Sequence, residues 1–363
     1  MTTTPLEDFE SVTAGLAQPK LPRWAEVLVG AMALAIAGLL TMVLGWDIVG
    51  GAVVAGFLFV VGVPIWSRVV EGGRAAADRF ATCLVWAAFA VVLVPLIWLI
   101  WMVLKNGLAA ISWSFLNESM RGVVGEGGGI YHALMGTLLV TLAATVISVP
   151  IGLFTAIYLV EYGKGSRLAR VTTFLVDVMT GIPSIVAGLF ALALLVLIFG
   201  PAIRIGFGGS IALALLMIPT VVRSAEEMLR LVPSDLREAS YALGVPKWRT
   251  IVKVVMPTAF GGIVTGIMLA ISRVIGETAP LLIVAGATDS VNMNLFSGRM
   301  MTLPVYIFSQ YSSPGVPAFG TDGPPPGYAR AWGAALVLIA IVMILNLVAR
   351  ILQKIYAPKS ERR

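Results

Sequence analysis

Residues 272–286, SRVIGETAPLLIVAG, place an arginine and a glutamate four positions apart in an otherwise apolar run. On a helix, Arg273 and Glu277 would share one face. Arg223 and Glu227 repeat that spacing near the end of another apolar run, beside Glu226, and Asp177 lies inside a third. A charge at membrane depth is costly and rarely faces lipid. Arginine offers a planar fork of donors suited to an oxyanion, and a nearby carboxylate can accept the proton of a protonated one. Two readings stand: these groups line a path for an anion, or they neutralise one another. Asp177 fits helix packing better than a path.

The elements that must position these charges are membrane helices. Of 363 residues, 58% are hydrophobic and 12% charged, against roughly 25% charged in a soluble domain. Apolar runs predict eight spans, near 25–45, 48–67, 82–104, 133–160, 169–199, 209–229, 258–285 and 331–355. This is an all-α polytopic membrane protein. GWD alone separates the first two spans, which predicts a tight hairpin. Residues 1–24 carry no basic, apolar leader and read as a disordered tail. One cysteine, Cys83, permits no internal disulfide, and one histidine, His132, leaves no basis for a His/Cys metal cage. His132 and the glycines before it read as a turn, not a site.

Basic residues fix the expected orientation. With the N-terminus inside, the inner loops and tails collect eighteen of the 25 lysines and arginines. The outer side holds Lys105, Arg121, Arg204, Arg299 and Arg330, while Arg223 and Arg273 fall within spans. Both termini are then cytoplasmic, and the net charge of +6 reflects topology rather than nucleic-acid binding. Arg223 would lie within about 10 Å of the cytoplasmic end, a place for a gate or a helix-end clamp. In the outer segments, MMTLPVYIF is too short to span and predicts a surface or re-entrant piece. GTDGPPPG must be irregular.

TGIPS, residues 180–184, interrupts the fifth span near the expected midplane. Gly181 and Pro183 predict either a proline kink or a broken helix; a broken one would point the half-helix beginning at Ser184 toward an anion. Gly262 and Gly266 have the spacing of a close helix contact.

The loop LVPSDLREASYALGVPKWRTIVKVVMPTAFGG carries Glu238, Ala239, Ser240, three residues, Gly244, nine residues, and then a run ending in Pro257. A short amphipathic helix should end at Gly244 in the left-handed conformation, and a second should lead to Pro257 at the next span's entry. This pattern resembles the EAA loop of ABC importer permeases, with Glu238, Ala239, Gly244 and Pro257 matching outright. With FLVDVMTGIPSIVAGLF, RSAEEMLRLVPSDLREASYALG and GETAPLL, residues 128–355 look like the PstA family of phosphate importer permeases.

That resemblance implies a type I ABC importer six-helix core, with an N-terminal hairpin added to it. The implied domains are a cytoplasmic tail at 1–24, the extra hairpin and its loop at 25–81, and the permease domain at 82–355. A coupling loop at 230–257 lies within that domain, and a tail at 356–363 follows it. Glu238, Ala239, Gly244 and Pro257 would couple to a separate ATPase. Arg273, Glu277, Arg223, Glu227 and Ser184 are the candidates for the substrate path. The chain has no G-x-x-x-x-G-K-[ST] motif, so it is a transport subunit without its own ATPase site, and ATP and Mg would be bound by the partner. The implied partners are a homologous PstC-like permease, a PstB-like ATPase dimer and an extracytoplasmic PstS-like phosphate-binding protein, at the cytoplasmic (inner) membrane. Rival readings are a permease for another oxyanion such as sulfate, molybdate or phosphonate, an ion-driven secondary transporter, and a membrane enzyme acting on phosphorylated lipid. No nucleophile–base–metal constellation supports the last.

Overall fold

A computed structural model describes residues 20–22, 24–317 and 323–356. Most of the tails at 1–24 and 356–363 lies outside these residues. The described chain is helical, and its contacts divide it into two units, Met1–Trp101 and Met102–Arg363. The boundary falls inside one long helix.

In the first unit, α1 (Ala25–Leu44) and α2 (Ile48–Val70) form the expected hairpin. Gly45 takes φ +65 to end α1, and the Asp47 carboxylate accepts the Ile48 amide to begin α2. Helix α3 (Gly73–Ala110) is longer than its apolar run. Its charged start is held by Arg79, which donates to both oxygens of Glu71 at 2.7 and 2.9 Å and to Glu26 at 2.6 Å.

In the second unit, α4 is short (Trp113–Asn117), and α5 (Tyr131–Ile157) runs on through a π-helical turn, Tyr158–Tyr162. Next come α6 (Arg167–Thr180), α7 (Ser184–Phe199) and α8 (Gly206–Arg230). Two short helices, α9 (Ser234–Ala242) and α10 (Lys247–Thr250), lead through a second π turn, Ile251–Val255, into α11 (Met256–Val274). Helices α12 (Ala279–Val284), α13 (Leu303–Ser312) and α14 (Pro326–Tyr356) complete the unit.

Among the described residues, seven helices are long and apolar enough to cross a membrane, and α6 with α7 make an eighth candidate span, bent by 110°. That bend is far sharper than a proline kink. The core joins α5, α8, α11 and α13 around Val140, Leu213, Met217, Val274, Leu303 and Tyr306. Helix α13 carries most of the short apolar patch MMTLPVYIF. The patch is no surface piece, because Met300, Met301, Leu303 and Tyr306 are buried. His132 lies inside the first turn of α5, fully buried, with its ring edge-on to Tyr306 at 5.4 Å; it is not in the turn before the helix. In GTDGPPPG, residues 323–325 are irregular and the helix begins at Pro326, where a missing N–H costs nothing. Residues 320–322 lie outside the described residues.

Candidate functional site

The seventh apolar run is not one helix. Backbone hydrogen bonding carries α11 to Ile275, after which Gly276–Thr278 break it and α12 starts afresh. Arg273 therefore sits in the last turn of α11 and Glu277 in the break, so the expected shared helical face is lost. Among the described residues, no ion pair joins them. Arg273 is exposed in the isolated chain and Glu277 is half-buried.

The fifth run breaks likewise at 181–183, and Ser184 is the first residue of α7. The two breaks are neighbours in space. A Cβ on Gly188, about one turn into α7, would lie 2.7 Å from the Cα of Pro280 at the start of α12. Only glycine permits that approach, which places Ser184 and Glu277 at adjoining chain breaks. Irregular backbone at membrane depth is tolerated only where it is buried in protein or lines a cavity.

Arg223 and Glu227 belong to a different group. Arg223 does not pair with Glu227; it donates to Glu226 at 2.8 Å and to Asp177 on α6, while Glu226 also accepts from Arg230 at 2.6 Å. Positions i+3 and i+4 both lie near Arg223 on the helix. Glu226 is the buried one and Glu227 is exposed, so the packing against α6 selects Glu226. Asp177, Arg223, Glu226 and Arg230 thus form one alternating chain that fastens α6 to α8. Beside it, Gly266 would place a Cβ 2.4 Å from Ser224, and Gly262 one 2.1 Å from Met228. The glycine pair is a close contact between α11 and α8.

The loop between α8 and α11 is a compact knob. The Gly244 amide donates to the Tyr241 carbonyl at 2.9 Å and the Val245 amide to the Ser240 carbonyl at 3.2 Å. With Gly244 at φ +74, this is a Schellman ending of α9. The buried hydroxyls of Ser240 and Thr250 share a hydrogen bond of 2.8 Å that ties α9 to α10. Glu238 and Ala239 are exposed on α9, as is Pro257 at the start of α11. Helix α10 does not stop before Pro257. The π turn Ile251–Val255 carries it into α11 and takes up Lys253, whose carbonyl would otherwise face the missing Pro257 N–H.

A buried glutamate, which sequence reading passed over, holds this knob. Glu161, 6% exposed in the π turn after α5, accepts from Arg237 at 2.9 and 3.0 Å. Arg237 also donates to the carbonyls of Leu229 and Val232, at 2.8 and 2.6 Å. Lys247 donates to the Glu161 carbonyl and stands over the Tyr162 ring. The LVEYG stretch held the signal, an acid at the end of an apolar run, but Lys164 three residues on offers a nearer partner by spacing, and the helix ends at Tyr162 before reaching it. Outward, the knob shows Leu236, Tyr241, Leu243, Trp248 and Val252.

Residues 148–362 match the family model described as binding-protein-dependent transport system inner membrane component. Phosphate transport system permease protein PstA 1 of Mycobacterium tuberculosis (strain CDC 1551 / Oshkosh) is 48% identical over 293 residues, covering 80% of this chain and 93% of that protein. The PstA proteins of Mycobacterium leprae (strain TN) and Yersinia pestis are 46% and 38% identical, over 77% and 78% of this chain and 90% and 92% of theirs. The chain belongs to the PstA family of phosphate transport system permease proteins and is a multi-pass membrane transport component.

Proposed function

We propose that this chain forms half of the translocation path of an ATP-driven phosphate importer. Its likeness to PstA proteins across nearly their whole length carries this reading. The path runs past the adjoining breaks, with Ser184, Arg273 and Glu277 contributing to it, and the second half comes from a homologous PstC-like permease. Arg273 contacts the passing anion, and Glu277, in the break that follows, receives a proton from the substrate. Arg223 serves as an inner clamp, and Glu227 stays a path candidate on the exposed side of α8.

The knob is the coupling loop. It meets a PstB-like ATPase dimer that binds ATP and Mg, through the face that Glu238 and Ala239 share with the exposed apolar side chains. The rigid turn at Gly244, with Pro257 at the entry of α11, passes the ATPase's closure to the helices. A PstS-like binding protein delivers phosphate on the outer side. The complex sits in the cytoplasmic membrane with both termini inside.

Radiolabelled phosphate uptake by the reconstituted complex, with and without ATP, tests the reading. Uptake should need ATP and should resist excess sulfate, molybdate or phosphonate. Uptake without ATP would overturn it, and full competition by another oxyanion would reassign the cargo.

A further inference from the structure

The hairpin α1–α2 lies outside the importer reading, and the first unit holds a feature that gives it a role. Two cavities adjoin there, sharing Phe59, Cys83 and Trp86. One, of about 530 Å³, is lined by Gly30, Ala33, Ala55, Gly56 and Ala87, with the rings of Phe59 and Trp86 as walls. The other, of about 540 Å³, lies at the Glu71 end and is rimmed by Lys20, Glu26, Glu71, Asp78 and Arg79. Between the hairpin and α3 there is thus a groove with a charged mouth and an apolar body.

Its dimensions are those of one leaflet. From Asp78 to Ala90 on α3 is about 18 Å at 1.5 Å per residue, against about 15 Å for half the hydrocarbon core. An apolar gap facing hydrocarbon loses dispersion contacts unless a chain fills it. The mouth selects the headgroup. Anionic-lipid sites are clusters of lysine and arginine, whereas here two cations stand against three carboxylates. Arg79 is already engaged by Glu71 and Glu26. Among the described residues this leaves Lys20 and Asp78 with neither hydrogen bond nor ion pair: one cation and one anion at the same rim. That pair complements a phosphate ester joined to a primary ammonium, with the phosphate at Lys20 and the ammonium donating to Asp78.

We propose that the groove is a binding site for one zwitterionic aminophospholipid, with an acyl chain along the small residues and its headgroup between Lys20 and Asp78. The site does not depend on the transported cargo. Two variants probe its two ends. A Cβ on Gly56 would meet no atom within 4 Å, so Gly56→Leu directs a side chain into the groove, and Asp78→Asn removes the ammonium's acceptor.

The test uses the full chain in its complex, equilibrated in nanodiscs of equal phosphatidylethanolamine and phosphatidylglycerol. Lipid retained per complex is then read by native mass spectrometry. The wild type should retain phosphatidylethanolamine in preference to phosphatidylglycerol. Asp78→Asn should lower that retention about tenfold, the factor set by one charge-assisted contact, and Gly56→Leu should lower it at least as far by occluding the acyl chain, with helix content and melting temperature unchanged. Equal retention of the two lipids, or retention unaffected by Gly56→Leu, would overturn the site. Retention lost in Gly56→Leu but kept in Asp78→Asn would overturn the headgroup assignment.

Discussion

Among the described residues, neither Arg273 nor Glu277 has an ionic partner. Arg223, by contrast, has two. An unpaired guanidinium at the end of a broken helix is available to an anion, so Arg273→Gln should abolish most phosphate uptake while the subunits still assemble. Arg273→Lys should restore only a fraction, because a point charge cannot reproduce the fork. Exchanging the residues, Arg273→Glu with Glu277→Arg, should not rescue uptake, since the break has already separated them. Full recovery in that uptake assay would return them to a merely structural pair. Glu71 shows the opposite case, a carboxylate saturated with donors. Arg79 first, then the Leu21 amide and the Ser67 hydroxyl, hold it down at about 2. Because its folded value is depressed, the unfolded chain takes up the proton first. The stabilisation is complete above the ordinary carboxylate range and is lost as pH falls toward about 2. The protection factor of the Leu21 amide, its exchange relative to the intrinsic rate at each pH, should fall across that interval in the wild type and stay level in Glu71→Gln.

At the scale of elements, Gly244 gives the sharpest test. Its left-handed φ of +74 costs a side chain roughly 1–2 kcal/mol, more for a β-branched one, and no neighbour would compensate. Gly244→Val should unwind the end of α9, abolish uptake and weaken ATPase association, with membrane insertion intact in a pull-down of the complex. Undiminished uptake would remove the loop from the coupling step. Most elements could be read from the sequence because apolar runs report membrane helices directly, and Gly181 with Pro183 marked the first break. The second break was missed. Gly276 and Pro280 flank it, but with a continuous apolar background hydropathy stays high across the gap. The burial of Met300–Tyr306 was equally hidden, since a short apolar patch looks the same whether it lies on a surface or inside a core. The two path groups were legible as residue types but not as partners. Sequence spacing offers Arg223 both Glu226 and Glu227, and only the position of Asp177 on α6 decides. Glu161 could not be found by spacing, because Arg237 reaches it across 76 positions.

At the scale of the whole molecule, the hairpin is separable from the phosphate path in the proposed function. Removing residues 1–78 takes away two crossings and preserves the sidedness of everything that follows. The shortened chain should assemble and import phosphate, with a lower melting temperature; normal assembly with no import would place the hairpin on the path. The alternating chain across α6 and α8 has a further consequence, in electrical terms. Asp177, Arg223, Glu226 and Arg230 sum to zero charge. Moving one elementary charge through the membrane potential involves about 2.3 kcal/mol per 100 mV, but a neutral set moving as a body does almost no electrical work. The inner clamp can therefore open and close at the same free-energy cost in a polarised or a depolarised cell. Glu226→Gln, which leaves the set with a net positive charge, should therefore give phosphate-stimulated ATPase activity in proteoliposomes a different dependence on imposed potassium-diffusion potentials from that of the wild type, whose dependence comes from the anion alone.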